Sequence, residues 1–311
     1  MKNTVVAVVG PTAVGKTSLS IEIAKRFNGE VISGDSMQIY KQMDIGTAKV
    51  TKQEMGDVPH RMIDIKQADE SFSVAEFQTS VRTSISDIIG ENRLPIIAGG
   101  TGLYIQAALF EYNFAEEARD ASYQKIIEQR INEYGIDFVY KQLQKADPEQ
   151  AQRIHPNNIR RVIRALEVYE RTGKTMSEHH EQQQPNSPYK PILIGLEMER
   201  ELLYKRINNR VDVMMEEGLL EEVHSFYERG LEHSQSMKAI GYKEFIPYFK
   251  GEQSLQESVE LLKRNSRRFA KRQFTWFKNK MDVTWYKISP EQKDEKFAII
   301  LENLAGKLTE K

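Results

Sequence analysis

The stretch "GPTAVGKT", Gly10 to Thr17, fits G-x-x-x-x-G-K-[ST] and restricts the fold of this chain more than any other feature. In such a loop, backbone amides cradle phosphate oxygens, the lysine neutralises their charge and the last hydroxyl reaches a divalent cation. The geometry requires a buried strand before the loop and a helix after it. Both are written here: "TVVAVV" runs straight into Gly10, and "KTSLSIEIAKRF" follows with apolar residues at helical spacing. The first of these is too short for a signal peptide and reads as a buried strand.

Further strands and helices alternate behind it. "GEVISGD" reads as a short strand ending at Asp35, and "SFSVAEFQTSVRTSISDIIG" as a helix that opens on a Ser73 to Glu76 capping box and stops at Gly90. "RLPIIAGGTGLY" reads as a buried strand running into glycines. Alternation of this kind predicts an α/β fold, a P-loop-type doubly wound parallel sheet flanked by helices. From about Asn113 the pattern changes to successive helices, among them "ASYQKIIEQRINEYG", "IDFVYKQLQKA", "DPEQAQRI" with Pro148 behind Asp147, and "NNIRRVIRALEVYERTG". "SEHHEQQQPNSP" reads as a linker, and "YKPILIGLEM" as a strand once more. The expected organisation is a catalytic core of residues 1–115 and 188–311 interrupted by an all-helical insert domain of residues 116–187. "RELLYKRINNRVDVMMEEGLLEEV" reads as one long helix, and the tail as mostly helical with a last strand in "VTWYKI".

Composition removes several function classes. The 311 residues contain no cysteine, which excludes disulfides, thiolate zinc sites and thiol nucleophiles and suits a reducing, cytoplasmic setting. No apolar stretch is long enough to span a membrane. Nothing in the sequence demands more than a monomer. The histidines show no metal-ligand spacing: His179 and His180 fall in the Gln-rich linker, and His155 precedes Pro156 in a turn. "DIIG", Asp87 to Gly90, and "NKMD", Asn279 to Asp282, match GTPase motifs but follow helices rather than buried strands, so both read as helix ends.

In open parallel sheets, ligands bind beyond the carboxyl ends of the strands. Three loops qualify: Gly10 to Thr17, Asp35 to Gln38, and Gly99 to Gly102. Asp35 has two readings at this level, a general base aimed into the crevice or a helix N-cap with Gln38 as capping-box partner. The glycines of "GGTG" admit either a close ligand approach or a tight turn. Arg206 and Arg210, four apart, share a helix face, and both are solvated or one clamps phosphates.

The net charge is −1, yet the charge is unevenly spread. "KRNSRRFAKRQFTWFKNK", Lys263 to Lys280, carries eight Lys or Arg, no acid, and interleaved Phe269, Phe274, Trp276 and Phe277. Cations for phosphates and rings for bases are what a single-stranded nucleic acid needs, whereas an amphipathic helix that buries its rings accounts for the same pattern. In the insert, Arg160, Arg161 and Arg164 surround an apolar stripe of Ile159, Val162, Ile163 and Leu166. Basic clusters on both parts suit an anionic macromolecule.

Seven stretches, "GPTAVGKT", "SGDSMQIYKQMDIGTAK", "PHRMIDI", "AGGTGLYI", "IHPNNIRRVIRALEVY", "MKAIGYKE" and "AKRQFTWFK", stand in the order known from one family. Over nearly its whole length the chain resembles the tRNA dimethylallyltransferases, also called tRNA isopentenyltransferases. The resemblance implies prenyl transfer from dimethylallyl diphosphate to N6 of an adenosine next to the anticodon. The loop of Gly10, Pro11, Thr12, Ala13, Val14, Gly15, Lys16 and Thr17 would hold the diphosphate, with Mg²⁺ on Thr17. Asp35 would be the base, Thr101 a contact to the target nucleotide, and Arg210 a stabiliser of the leaving group. The tRNA anticodon stem-loop would meet Ser36, Met37 and Gln38, then Arg160, Arg161 and Arg164, then Lys238, Gly241 and Lys243, and finally Lys271, Arg272, Gln273, Trp276 and Lys278. One departure from the family pattern is Arg61 with Met62, where "PHHLID" is usual.

Two rivals share part of this evidence. A P-loop kinase for a small metabolite accounts for the loop and Asp35 but not for the basic tail. A nucleotide-gated RNA-binding protein accounts for the tail and uses the loop as a switch.

Overall fold

The computed structural model describes residues 3–111, 121–181 and 186–309. Six strands, β1 (Thr4–Val9), β2 (Gly29–Ser33), β3 (His60–Arg61), β4 (Leu94–Gly99), β5 (Lys190–Glu197) and β6 (Thr284–Lys287), form one sheet in the order β3-β2-β4-β1-β5-β6. Every neighbouring pair is parallel. Residues of β1 alternate between two apolar layers: Val5, Ala7 and Val9 pack into one, Val6 and Val8 into the other. A sheet covered on both faces explains why its strands read as continuous apolar runs rather than as polar and apolar in turn.

Register decides where the loops emerge. Val9 pairs with Gly99, and Ser33 with Ala98, so the loops after β1, β2 and β4 leave the sheet side by side. The helix Lys16–Phe27 follows β1, Val74–Gly90 precedes β4, and Gly102–Leu109 leaves it. The Ser73 to Glu76 capping box is formed as its sequence suggests. "DIIG" ends the helix Val74–Gly90, and Asn279 and Lys280 end the helix Leu255–Lys280.

Three elements differ from the sequence reading. The helix expected from Arg200 is two, Arg200–Glu216 and Leu219–Glu228, because Gly218 adopts φ 99° between them, a left-handed conformation that turns the chain. β3 is only two residues long and carries no periodicity to read. Beyond β6 the chain adds the helix Lys293–Thr309, whose Phe297, Ile300 and Leu304 are buried.

The chain divides into two compact units, one of Met1–Phe110 with Ser187–Lys311 and a second of Glu111–Asn186. The expected boundary between residues 115 and 116 lies outside the described residues. The second unit packs Val139, Leu143, Ala151, Val162 and Leu166 among its helices. Asp147 caps the helix Pro148–Arg153 through the Gln150 N–H and also accepts the N–H and hydroxyl of Ser177, tying two helix starts together. Part of the expected linker is helical, Met176–Glu181, while residues 182–185 lie outside the described residues. Among the described residues no helix is long and apolar enough to cross a membrane.

Candidate active site

The phosphate-type loop forms because only a residue without a side chain fits where β1 ends. Gly10 has φ 143°, and a Cβ there would stand 2.5 Å from the Leu196 carbonyl oxygen on β5. Val14 anchors the loop in the core, and the helix Lys16–Phe27 starts at once behind Gly15. Lys16 Nζ donates to the Pro11 carbonyl at 2.7 Å, curling over the loop. Burial lowers its pKa to about 8, with the charge of Asp35 opposing the shift and that of Arg210 adding to it. Thr17 is exposed.

At the end of β2, Asp35 Oδ1 accepts the Met37 N–H at 2.9 Å in a tight side-chain turn. No helix follows, so the N-cap reading of Asp35 does not hold. Gln38 does not fold back as a capping partner either: its Oε1 accepts the Ser33 hydroxyl, and its Nε2 donates to the carbonyls of Ala48 and Thr47. Burial raises the Asp35 pKa, while the Met37 N–H and the Lys16 charge pull against it. The Ser36 N–H reaches Thr101 Oγ1 at 3.4 Å, joining the loops after β2 and β4.

The helix Arg200–Glu216 separates its two arginines. Arg206 Nε donates to the Ala13 carbonyl at 3.1 Å, on the loop backbone. Arg210 instead lines a cleft of about 320 Å³ together with Thr12, Ala13, Asp35, Ser36 and Met37. The same cleft takes Ile207, Val211 and Met214 from this helix, Lys238, Ile240 and Lys243 from the "KAIGYK" segment, and Leu262, Phe269 and Arg272 from the helix Leu255–Lys280. Polar and charged groups thus share a single space with an aliphatic and aromatic wall. Sequence reasoning missed that wall, although Ile207, Val211 and Met214 recur every three or four residues around Arg210.

Gly46, Thr47 and Ala48 close another side of the cleft. They are held from below by Glu222, whose carboxylate accepts the N–H groups of Asp44, Ile45 and Gly46 and the Tyr242 hydroxyl. Glu222 was legible only as one of several acids on an amphipathic helix.

Residues expected to meet tRNA fall into two groups. Lys238, Lys243, Lys271, Arg272, Arg160 and Arg161 are exposed. The others are engaged. Lys278 pairs with Glu197 at 3.2 Å and lies over the Trp285 ring, and Arg164 pairs with the buried Glu167 at 2.7 Å. Gly241 is buried and donates its N–H to Glu244. Trp276 packs where a Cβ on Gly102 would lie, 2.1 Å from its Cε3. Gln273 is buried and accepts the Thr12 N–H, so it faces the phosphate-type loop and not a surface. The "GGTG" glycines therefore make room for side chains of the helix Leu255–Lys280. Arg61 is likewise structural: its guanidinium meets Glu30, Asp87 and Glu91, with Arg93 on the other Glu30 oxygen.

A family model described as IPP transferase matches residues 38–280. The tRNA dimethylallyltransferase of Oceanobacillus iheyensis is 58% identical over 100% of this chain and 99% of its own length. That of Bacillus cereus is 57% identical over 99% and 96%. The crystal structure of a full-length tRNA isopentenylpyrophosphate transferase from Bacillus halodurans superposes with a TM-score of 0.75 at 50% identity, covering 100% of this chain and 98% of that one. A eukaryotic dimethylallyltransferase acting on tRNA gives a TM-score of 0.83 at 31% identity over 98% of this chain and 80% of its own. Likeness in sequence and in fold over essentially the whole length establishes that the chain belongs to the tRNA dimethylallyltransferase family.

Proposed function

We propose that the protein transfers a dimethylallyl group from dimethylallyl diphosphate to N6 of an adenosine next to the anticodon of a tRNA, releasing diphosphate. The observation that carries this reading is the composition of the cleft: a phosphate-type loop, Asp35 and Arg210 share one space with Met37, Ile207, Val211, Met214 and Phe269. A diphosphate ester of a five-carbon hydrocarbon has the same division into a charged end and an apolar one. A kinase has no use for the apolar part.

In this reading the amides at the start of the helix Lys16–Phe27 and the charges of Lys16 and Arg210 take up the charge that develops on the leaving oxygen. The adenosine nitrogen attacks the allylic carbon, the carbon–oxygen bond breaks, and the nitrogen's proton passes to Asp35. A carboxylate whose pKa is raised by burial holds a proton better than an exposed one, which suits that role. An aromatic amine is a poor nucleophile, so alignment of the two substrates supplies much of the acceleration. Thr101, tied to Ser36, borders the entry for an extruded base. Arg160, Arg161, Lys238, Lys243, Lys271 and Arg272 hold the tRNA backbone.

Among the described residues there is no cluster of three or more His, Asp or Glu able to hold a metal. The exposed Thr17 hydroxyl is a hard oxygen donor, and it fits a Mg²⁺ bound mainly by diphosphate oxygens and water. Such an ion would add positive charge at the leaving group.

The experiment is to incubate the protein with Mg²⁺, dimethylallyl diphosphate and unmodified tRNA, digest the RNA and analyse its nucleosides by mass spectrometry, with ATP replacing the donor in parallel. Prenylated adenosine is expected in the first reaction only. Asp35→Asn should lower kcat by roughly 10²- to 10⁴-fold while tRNA affinity stays within about twofold, since the carboxylate carries no RNA phosphate. Unmodified RNA with consumption of ATP would overturn the reading, and an active Asp35→Asn enzyme would remove Asp35 as the base.

A further inference from the structure

The helix Leu255–Lys280 sends adjacent side chains in different directions. Arg272 lines the cleft and is exposed, whereas Gln273, the next residue, is 5% exposed. Its Oε1 accepts the backbone N–H of Thr12 at 2.9 Å. Thr12 is the third residue of the phosphate-type loop and itself lines the cleft. The passage that Gln273 takes is narrow: a Cβ on Gly100 would stand 2.1 Å from its Nε2.

A loop that binds an anion through backbone amides needs those amides aimed before the anion arrives. This loop is built from unusual backbone conformations, with Gly10 at φ 143°, Ala13 at 64° and Gly15 at 108°, so its shape must be imposed by its surroundings. A side-chain acceptor on the Thr12 N–H imposes it from one side. The acceptor is an amide oxygen and carries no charge. A carboxylate in that place would make the same hydrogen bond but would repel a diphosphate.

We propose that Gln273 is a positioning residue for the donor substrate: it holds the phosphate-type loop in its anion-binding shape and makes no contact with RNA. This inference rests on the reading of that loop as a diphosphate site. Its signature is a split between the two substrates. In Gln273→Met, which keeps the volume but replaces the amide with a poor acceptor, the Kd for inorganic diphosphate with Mg²⁺ and the KM for dimethylallyl diphosphate should rise about five- to tenfold, the worth of one hydrogen bond. The Kd for tRNA should stay within about twofold, as expected for a group that neutralises no phosphate.

Gly100→Ala provides an independent route, because its new methyl group displaces the Gln273 side chain. It should raise the diphosphate Kd in the parent protein and add nothing in a Gln273→Ala background, where the space is free; unrelated packing losses would add instead. Calorimetry for diphosphate and filter binding for tRNA read both. An unchanged diphosphate Kd in Gln273→Met, or a loss confined to tRNA binding, would overturn the inference alone. A parent protein with no affinity for diphosphate would overturn the donor-site reading and this inference with it.

Discussion

Lys16 sits where its own charge is unwelcome. Burial brings its pKa down to about 8 from the ordinary lysine value of 10.5, so the side chain of the free protein begins to lose its proton just above neutrality. Only the protonated form attracts an anion, and a bound diphosphate holds that proton. The affinity for inorganic diphosphate should therefore be greatest below pH 8 and fall as pH rises, by roughly tenfold between pH 7 and pH 9 for a group of this pKa. The direction is informative, because diphosphate itself becomes more negative in that range and would otherwise bind more tightly. Calorimetric titration across the range checks it. Lys16→Arg, whose charge persists, should bind with little pH dependence. A flat profile in the parent protein would mean that Lys16 keeps its charge or does not face the anion. The residue types of the loop made its chemistry readable from sequence, whereas the depressed pKa required the packing around Lys16 and the approach of Arg210.

At the scale of elements, the short edge strand β3 shows how a departure from a family pattern can be purely structural. Its Arg61 reaches across to Glu30, a side chain 3% exposed on β2, and shares it with Arg93. Burial alone would raise the Glu30 pKa, and the two arginines bring it below the usual glutamate value. A histidine at this position is too short to span Glu30, Asp87 and Glu91 at once. Removing one partner of a buried carboxylate leaves it underpaired, so Arg61→Ala should lower unfolding stability by about 1–3 kcal/mol with kcat unchanged in the folded protein. Urea denaturation monitored by circular dichroism measures the first, and the nucleoside assay the second. A variant of unaltered stability would show that Arg93 satisfies Glu30 alone. The same scale explains the glycines of the loop after β4. Their spacing admitted a ligand contact or a turn, and the structure uses them to admit Gln273 and Trp276 from a helix far along the chain.

For the molecule as a whole, a net charge of −1 conceals the segregation on which RNA binding would depend. Of the cations expected to meet tRNA, Arg160, Arg161, Lys238, Lys243, Lys271 and Arg272 are exposed, while Arg164 and Lys278 are already paired with carboxylates. Six phosphate contacts predict that log Kd for tRNA varies with log salt concentration with a slope of magnitude roughly 4 to 5. Substituting Arg272 by Gln should reduce that slope by about one contact's share, and substituting Lys278 should change it little. Filter binding at several salt concentrations gives the slope directly. Weak salt dependence would remove the role assigned to these side chains.

The sequence by itself determined what depends on neighbours along the chain: the strand, loop and helix around Gly10 to Thr17, the capping box at Ser73, the change from alternating to purely helical pattern, and the family resemblance. Each rests on periodicity, backbone propensity or ordered motifs, which are local properties. Tertiary structure decided what depends on residues brought together from afar. Asp35 reads equally as a base or a cap until the chain after it is seen not to be helical. Arg206 and Arg210 are equivalent on a helical wheel until one meets the Ala13 carbonyl and the other the cleft. Gln273 looks like part of a basic track until its partner, 261 positions away, is known. Burial and long-range hydrogen bonds set these roles, and spacing along the chain carries no record of either.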